Sequence, residues 1–159
     1  MGMYFLDSSA IVKRYFQEQG HDWIETLHDP EQGHELYIAQ VALVEVVASI
    51  CRKAREQNMP LEERDTTIED FRRDVLNTYS VWLVDNPLFV AAGNLCRLHR
   101  LRAYDAVQLA CAKAVHEDAL AAQSPEEDPL NFIFVSADVG LLIIAKAEKL
   151  NTENPNNYS

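Results

Sequence analysis

Two apolar rhythms alternate along the chain, one with the period of a strand and one with that of a helix. "MYFL", residues 3–6, is a short apolar strand. Asp7 and two serines follow, residue types favoured at N-caps, and start a helix. "HDWIETLHD" reads as a short helix, Pro30 to Gly33 as a loop, and "ELYIA" as a second strand. The next helix is apolar as far as Cys51, becomes a solvated run in "RKAREQN", and is broken by Pro60. Residues 61–79 place Ile68, Phe71, Val75 and Tyr79 at helical spacing beneath a charged outer face. "VWLV", residues 81–84, is a third strand, and Pro87 suits the first turn of the helix after it. "RAYDAVQLACAKAVHE" carries an apolar stripe of Val107, Ala110, Cys111 and Ala114. Beyond a polar loop, "FIFVSAD" is a strand ending at Asp138, and "VGLLIIAKAEKL" is the last helix.

Strands alternating with helices imply βαβ units, hence an α/β fold with three αβα layers around a short central parallel sheet. One domain is expected over residues 1–150, followed by a loose polar tail, residues 151–159. At 159 residues with 48% hydrophobic and 25% charged, the chain has the composition of a soluble globular domain. No apolar run reaches membrane-spanning length, and no signal peptide is visible. Cys51, Cys96 and Cys111 are far apart and sit in apolar helical patterns, so they read as small core residues in a reducing cytoplasm, not as a zinc site or a disulfide. A net charge of -11 argues against broad non-specific nucleic-acid binding, but is compatible with a local basic rim around an acidic pocket.

Glu45 changes the picture. It lies within the apolar run "YIAQVALVEVVASI", where an unpaired carboxylate is costly unless it is neutralised, paired or bound to a metal. Asp7 and Asp138 each follow a strand, and Asp105 begins an apolar helix. In open parallel sheets, ligands bind in the crevice outside the carboxyl ends of the strands, so these acids can converge there. Each also has a plainer role: Asp7 and Asp138 as helix caps, and Asp105 as a favourable charge at a helix N-terminus. As a set, they suit Mg²⁺ or Mn²⁺, hard ions that take oxygen ligands. Two such ions about 3.5–4 Å apart would suit displacement at a phosphodiester.

The segments "YFLDSSAIVKRY", "AQVALVEVVASI", "LRAYDAVQLACA" and "FVSADVGLLIIAKAEKL" together resemble a PIN domain, the nuclease fold of VapC-type toxins in toxin–antitoxin pairs. They occur in the family's order and run from residue 3 to about residue 150. The resemblance implies an acidic site of Asp7, Glu45, Asp105 and Asp138, a Mg²⁺- or Mn²⁺-dependent endoribonuclease, a homodimer and a cognate antitoxin that covers the site. Ser9 and Ser136 match small hydroxyl positions beside the first and last acids, where the resemblance implies that they hydrogen-bond the site's acids, with helix capping as the alternative. Lys13, Arg14, Arg97, Arg100 and Arg102 stand near these acids in sequence and are candidates for phosphate contact or for plain surface solvation. Tyr104 could stack on a base or pack against the sheet.

Two features depart from the family pattern. The loop "ALAAQSPEEDP" is longer and more acidic than usual, and only "LNTENP" stands where a strand would follow the final helix. The main rival is a PIN-like RNA-binding or protein-interaction module that does not cleave. A haloacid-dehalogenase-like enzyme would need a second Asp where Ser9 stands, a receiver domain would need a lysine ending a late strand, and a DNA-directed nuclease would need further DNA-gripping elements.

Overall fold

The computed structural model describes all residues, 1–159. Its elements run β1 (Met3–Leu6), α1 (Ser8–Ile11), α2 (His21–Leu27), β2 (Glu35–Ala39), α3 (Ala42–Glu56), α4 (Leu61–Asn77), β3 (Tyr79–Trp82), α5 (Asn86–Leu98), α6 (Ala103–Ala122), β4 (Phe132–Val135), α7 (Val139–Ala147) and β5 (Asn151–Glu153). The five strands form one sheet in the order β3-β2-β1-β4-β5, and every neighbouring pair is parallel. The chain therefore moves outward from β1 to β3, crosses back, and resumes at β4 on the other side of β1. That reversal is the switch point at which open α/β sheets leave a crevice.

Side-chain alternation along the strands builds two cores, one on each face. Phe5, Phe132 and Phe134 point towards α5, α6 and α7, where they meet Leu88, Leu95, Leu109, Val115 and Leu141. Leu6, Leu36, Ile38 and Val135 point the other way, towards Ile11, Ile24, Val46, Ile50 and Phe71 of the α1–α4 layer. The three-layer αβα architecture expected from the alternation of patterns is the one observed. Helix α6 is buried at every position from Ala106 to Ala112, since it lies across the sheet and under α5.

The element boundaries show where local pattern and tertiary structure part. Tyr79 keeps the helical spacing of Ile68, Phe71 and Val75, yet α4 ends at Asn77 and Tyr79 opens β3 opposite Leu36. Its side chain fills the same core from a strand, which is why its spacing misleads. β4 stops at Val135, and the next three residues turn into the cap of α7. "NTE" is not loose: it is β5, paired with β4 through Ile133↔Asn151 and Val135↔Glu153. Backbone pairing supplies the stability that its polar side chains do not advertise. The last residues are docked as well. Tyr158 stacks on Trp23 with ring centroids 4.6 Å apart, and Gly20, at φ +86°, lies so close to Pro155 that a Cβ would come within 2.6 Å of the Pro155 carbonyl oxygen. Among the cysteines, Cys111 is buried and Cys51 half-buried, but Cys96 is exposed on the outer side of α5 and is not a core residue.

A buried polar network ties α2 and β3 to the layer below. His28 donates from Nδ1 to the Ile24 carbonyl at 2.7 Å, so the neutral ring's Nε2 accepts from the Tyr79 hydroxyl, also at 2.7 Å. Burial, helped by the Arg14 guanidinium, pushes the His28 pKa down to about 4 from the usual 6.5. The unfolded chain therefore takes up a proton before the folded one does. His28's contribution to stability is intact above pH 6.5 and is lost as the pH falls towards 4, on the order of 3 kcal/mol by the acid end. Thermal melts of wild type and His28→Gln between pH 8 and pH 4 should show a steeper acid decline in wild type. Parallel profiles would place the acid sensitivity elsewhere.

Candidate active site

One open cleft of about 730 Å³ at the carboxyl ends of the central strands is lined by five acids, of which Glu18 is paired with Lys13 and Lys53. Asp7 arrives as the residue after β1, Asp138 from the turn after β4, Glu45 from the first turn of α3, and Asp105 from the first turn of α6. The pairing Leu6↔Val135 sets β1 and β4 level, so the turns that leave them emerge side by side.

Asp7 is buried and held on every side. Its Oδ1 accepts from the Ala10 N–H at 3.0 Å and from Ser9 Oγ at 2.6 Å, and its Oδ2 accepts from Ser136 Oγ at 2.5 Å. The capping role and the site position are the same geometry, because the cap of α1 is at the mouth of the cleft. Asp138 likewise caps α7, accepting from the Leu141 N–H through Oδ1, while its Oδ2 has no protein partner. Ser9 and Ser136 join the two acids: Ser9 Oγ accepts from the Ala137 N–H, and Ser136 Oγ accepts from the Asp138 N–H.

Glu45 differs from its sequence reading. The run around it is buried on one face only, with Ala42, Val46 and Ile50 inside and Val44 62% exposed. Glu45 sits between these faces, half-buried at the cleft. Its Oε1 accepts from Ser8 Oγ at 3.0 Å and from Gln108 Nε2 at 2.8 Å, which leaves Oε2 without a protein partner. Asp105 makes no hydrogen bond with either carboxylate oxygen. Sequence reasoning missed Ser8 and Gln108. Gln108 could have been found by the logic that singled out Glu45, since it is a polar residue in the apolar run "AVQLACA".

The acids feel one another. Burial pushes the Asp7 carboxyl up to about 6, against the opposing pull of its hydrogen-bond donors, and Asp105 adds to the rise. Burial also raises Asp105, with further contributions from Asp138 and Glu45. As the side chains stand, no three of them are arranged to hold a metal ion. The chemistry of the donor set nonetheless fits a hard divalent cation: all the donors are oxygens, three acids keep at least one oxygen free of protein partners, and their mutual repulsion is what a cation would relieve.

Basic residues edge the cleft, though not the set expected. Arg14 is turned away, bound to Asp74 and Glu25 at 2.8 Å each. Lys13 reaches the cleft but is buried, and donates to the Gln19 carbonyl and to Glu18. Arg97 does not line the cleft, Arg102 does, and Arg100 lines an adjoining depression with Arg102, Asp105 and Asp138. Arg52, Lys53 and Arg55 complete the rim from the charged end of α3, which looked merely solvated in sequence, and Lys53 among them is paired with Glu18 at 2.5 Å. Tyr104 is 55% exposed at the cleft and does not pack against the sheet. A second groove, about 480 Å³, runs between α5 and α6, and its Lys113 and Glu148 are paired with each other at 2.6 Å.

The raised Asp7 carboxyl has a measurable consequence. Its folded-state pKa of about 6 lies above the usual 3.8, so its ionised form opposes folding as the pH rises through that window. In EDTA at pH 7–8, Asp7→Asn should raise stability by up to about 3 kcal/mol, and the gain should vanish below pH 4. Thermal melts of both proteins across that range check the sign, and a variant less stable at pH 8 would contradict it.

The family model for the PIN domain matches residues 4–123. A search of the curated proteins gives no significant match. Among solved structures, FitAcB from Neisseria gonorrhoeae is similar, with a TM-score of 0.64 at 14% identity over 96% of this chain and 98% of that one. PAE2754 from Pyrobaculum aerophilum gives a TM-score of 0.61 at 15% identity, over 98% of this chain and 91% of that one. VapBC2 from Rickettsia felis, solved bound to a DNA fragment from its promoter, gives 0.60 at 15% identity, over 96% of this chain and 98% of that one. At such identities the structures speak for the fold, while the family model spans three-quarters of the sequence. By that match and the fold it predicts, this chain belongs to the PIN domain family.

Proposed function

We propose that the protein is a divalent-metal-dependent endoribonuclease that hydrolyses RNA phosphodiester bonds, and the toxin of a type II toxin–antitoxin pair. PIN domains are in general nucleases. The observation that carries the reading is the gathering of Asp7, Glu45, Asp105 and Asp138 in one cleft whose rim is basic in an otherwise acidic molecule.

Mg²⁺ or Mn²⁺ held by these acids would supply charge neutralisation at the scissile phosphate and a lowered pKa for attacking water. The protein's own part is positioning. Asp7 is immobilised by Ser9, Ser136 and the Ala10 N–H, and Glu45 by Ser8 and Gln108. Asp105, tied to nothing, is free to close on a ligand. No histidine or cysteine lines the cleft; the side chains there that can carry a proton are its carboxylates, Lys13, Lys53 and Tyr104. Arg52 and Arg55 on one wall and Arg102 on the other are set to hold phosphates on either side of the acids, while Lys53 is bound to Glu18. Tyr104, exposed beside Asp105, is available to stack on a base.

The likeness to VapBC2, and to FitAB solved bound to an IR36 DNA fragment, supports an antitoxin partner, and the family resemblance supports a homodimer and an antitoxin that covers the cleft. No helix is long and apolar enough to cross a membrane, which suits action on RNA in the cytoplasm.

Cleavage of an end-labelled pool of structured and unstructured RNAs, with Mn²⁺, Mg²⁺ or EDTA, tests the reading. Wild type should cut at discrete sites only with metal, and Asp105→Asn should lose at least roughly 100-fold in rate. Equal inactivity of two folded proteins across all metals and RNAs would favour the non-cleaving module. The rim makes its own prediction. Arg52→Ala combined with Arg55→Ala should weaken RNA binding and flatten its salt dependence by about two phosphate contacts. Arg14→Ala should lower the melting temperature and leave RNA affinity unchanged, because its partners are Asp74 and Glu25. The reverse pattern in a filter-binding salt series would show the substrate on another face.

A further inference from the structure

Gln108 has no packing reason to be where it is. It is 1% exposed on α6, flanked by Val107 and Leu109 in a helix segment otherwise made of buried apolar residues. Its Nε2 donates to Glu45 Oε1 at 2.8 Å and to Ser8 Oγ at 3.0 Å. Its Oε1 is the one buried side-chain polar atom in the protein without a hydrogen-bond partner. Turning the amide over would not help: the carbonyl would then face the Glu45 carboxylate, and the NH₂ group would be left unpaired. Glu45 therefore imposes the orientation that orphans the carbonyl, an arrangement a residue serving stability alone would not retain.

The other partner in this cluster points the same way. Ser8 Oγ donates to the same Glu45 Oε1 while accepting from Gln108, so both donors converge on a single oxygen. That oxygen is consumed, the carboxylate plane is fixed, and Oε2 is the only Glu45 oxygen left for a ligand. We infer that Gln108 is a positioning residue for Glu45: with Ser8 it clamps one carboxylate oxygen so that the other is presented to a cation in the cleft. This rests on the metal-dependent reading of the site and assigns a role within it to a residue that lies one helical turn beyond Asp105.

Gln108→Met keeps the length of the side chain and removes both the donor and the orphaned acceptor. Three readouts separate the possibilities. In EDTA, the melting temperature of Gln108→Met should equal or exceed that of wild type. Mn²⁺ affinity, followed by the electron paramagnetic resonance of the free ion, should fall roughly 10- to 100-fold, as it does when a ligand loses its supporting hydrogen bond. In RNA cleavage kcat should fall by a similar factor with KM unchanged, and Ser8→Ala should add to the loss. A melting temperature several degrees lower with unaltered Mn²⁺ affinity would make Gln108 a structural residue and overturn the inference. If wild type itself bound no Mn²⁺ and cut no RNA, the metal-dependent reading would fail first, and this inference with it.

Discussion

The site depends on the parallel pairing of β1 with β4, made between segments at opposite ends of the chain. The pairing sets Leu6 level with Val135, and the next residue on each side carries the consequence: Ser136 donates to Asp7 across a sequence separation of 129. Ser9 then ties the α1 turn to the Ala137 N–H, which binds the two strand ends into one unit. A slip of one residue would reverse every side chain on β4, moving Phe134 out of one core and Val135 out of the other. Register in the cores and geometry in the cleft are thus the same constraint.

Charge is spent unevenly over this frame. The molecule carries 25 acidic and 14 basic residues, yet five acids share one cleft edged by Arg52, Arg55 and Arg102. Asp7 is buried where its ionisation is unfavourable, and Gln108 leaves a carbonyl unpaired. Both oppose stability at the same place, which is how a binding site differs from a structural ion-pair network. The contrast is visible nearby: Arg14, Asp74, Glu25 and Tyr15 form a network in which the donors find acceptors, and it faces away from the cleft.

Much of this was legible in the sequence because it follows from short-range pattern. Alternating apolar rhythms give the three layers, and acids placed after strands give Asp7 and Asp138. What was not legible depends on partners remote in sequence. β5 is polar and is a strand only because β4 offers it an edge. Tyr79 satisfies a helical pattern and a strand position equally well, since both point at one core. Lys13 and Arg14 stand near Asp7 in sequence, but the turn after α1 directs them to Glu18, Asp74 and Glu25. Arg52, Lys53 and Arg55 reach the cleft only because α3 continues straight along its wall from Glu45.

Asp7, Glu45, Asp105 and Asp138 are proposed to form one divalent-cation site. Its most direct measurement is a crystal structure of the protein soaked in Mn²⁺, with anomalous differences collected at the manganese edge. An anomalous peak is expected in the cleft, held by Asp7 through an oxygen it shares with its hydroxyl donors and by at least two of the other three acids through oxygens that here lack protein partners. A well-ordered cleft containing no peak, or a peak held by acids elsewhere on the surface, would contradict it.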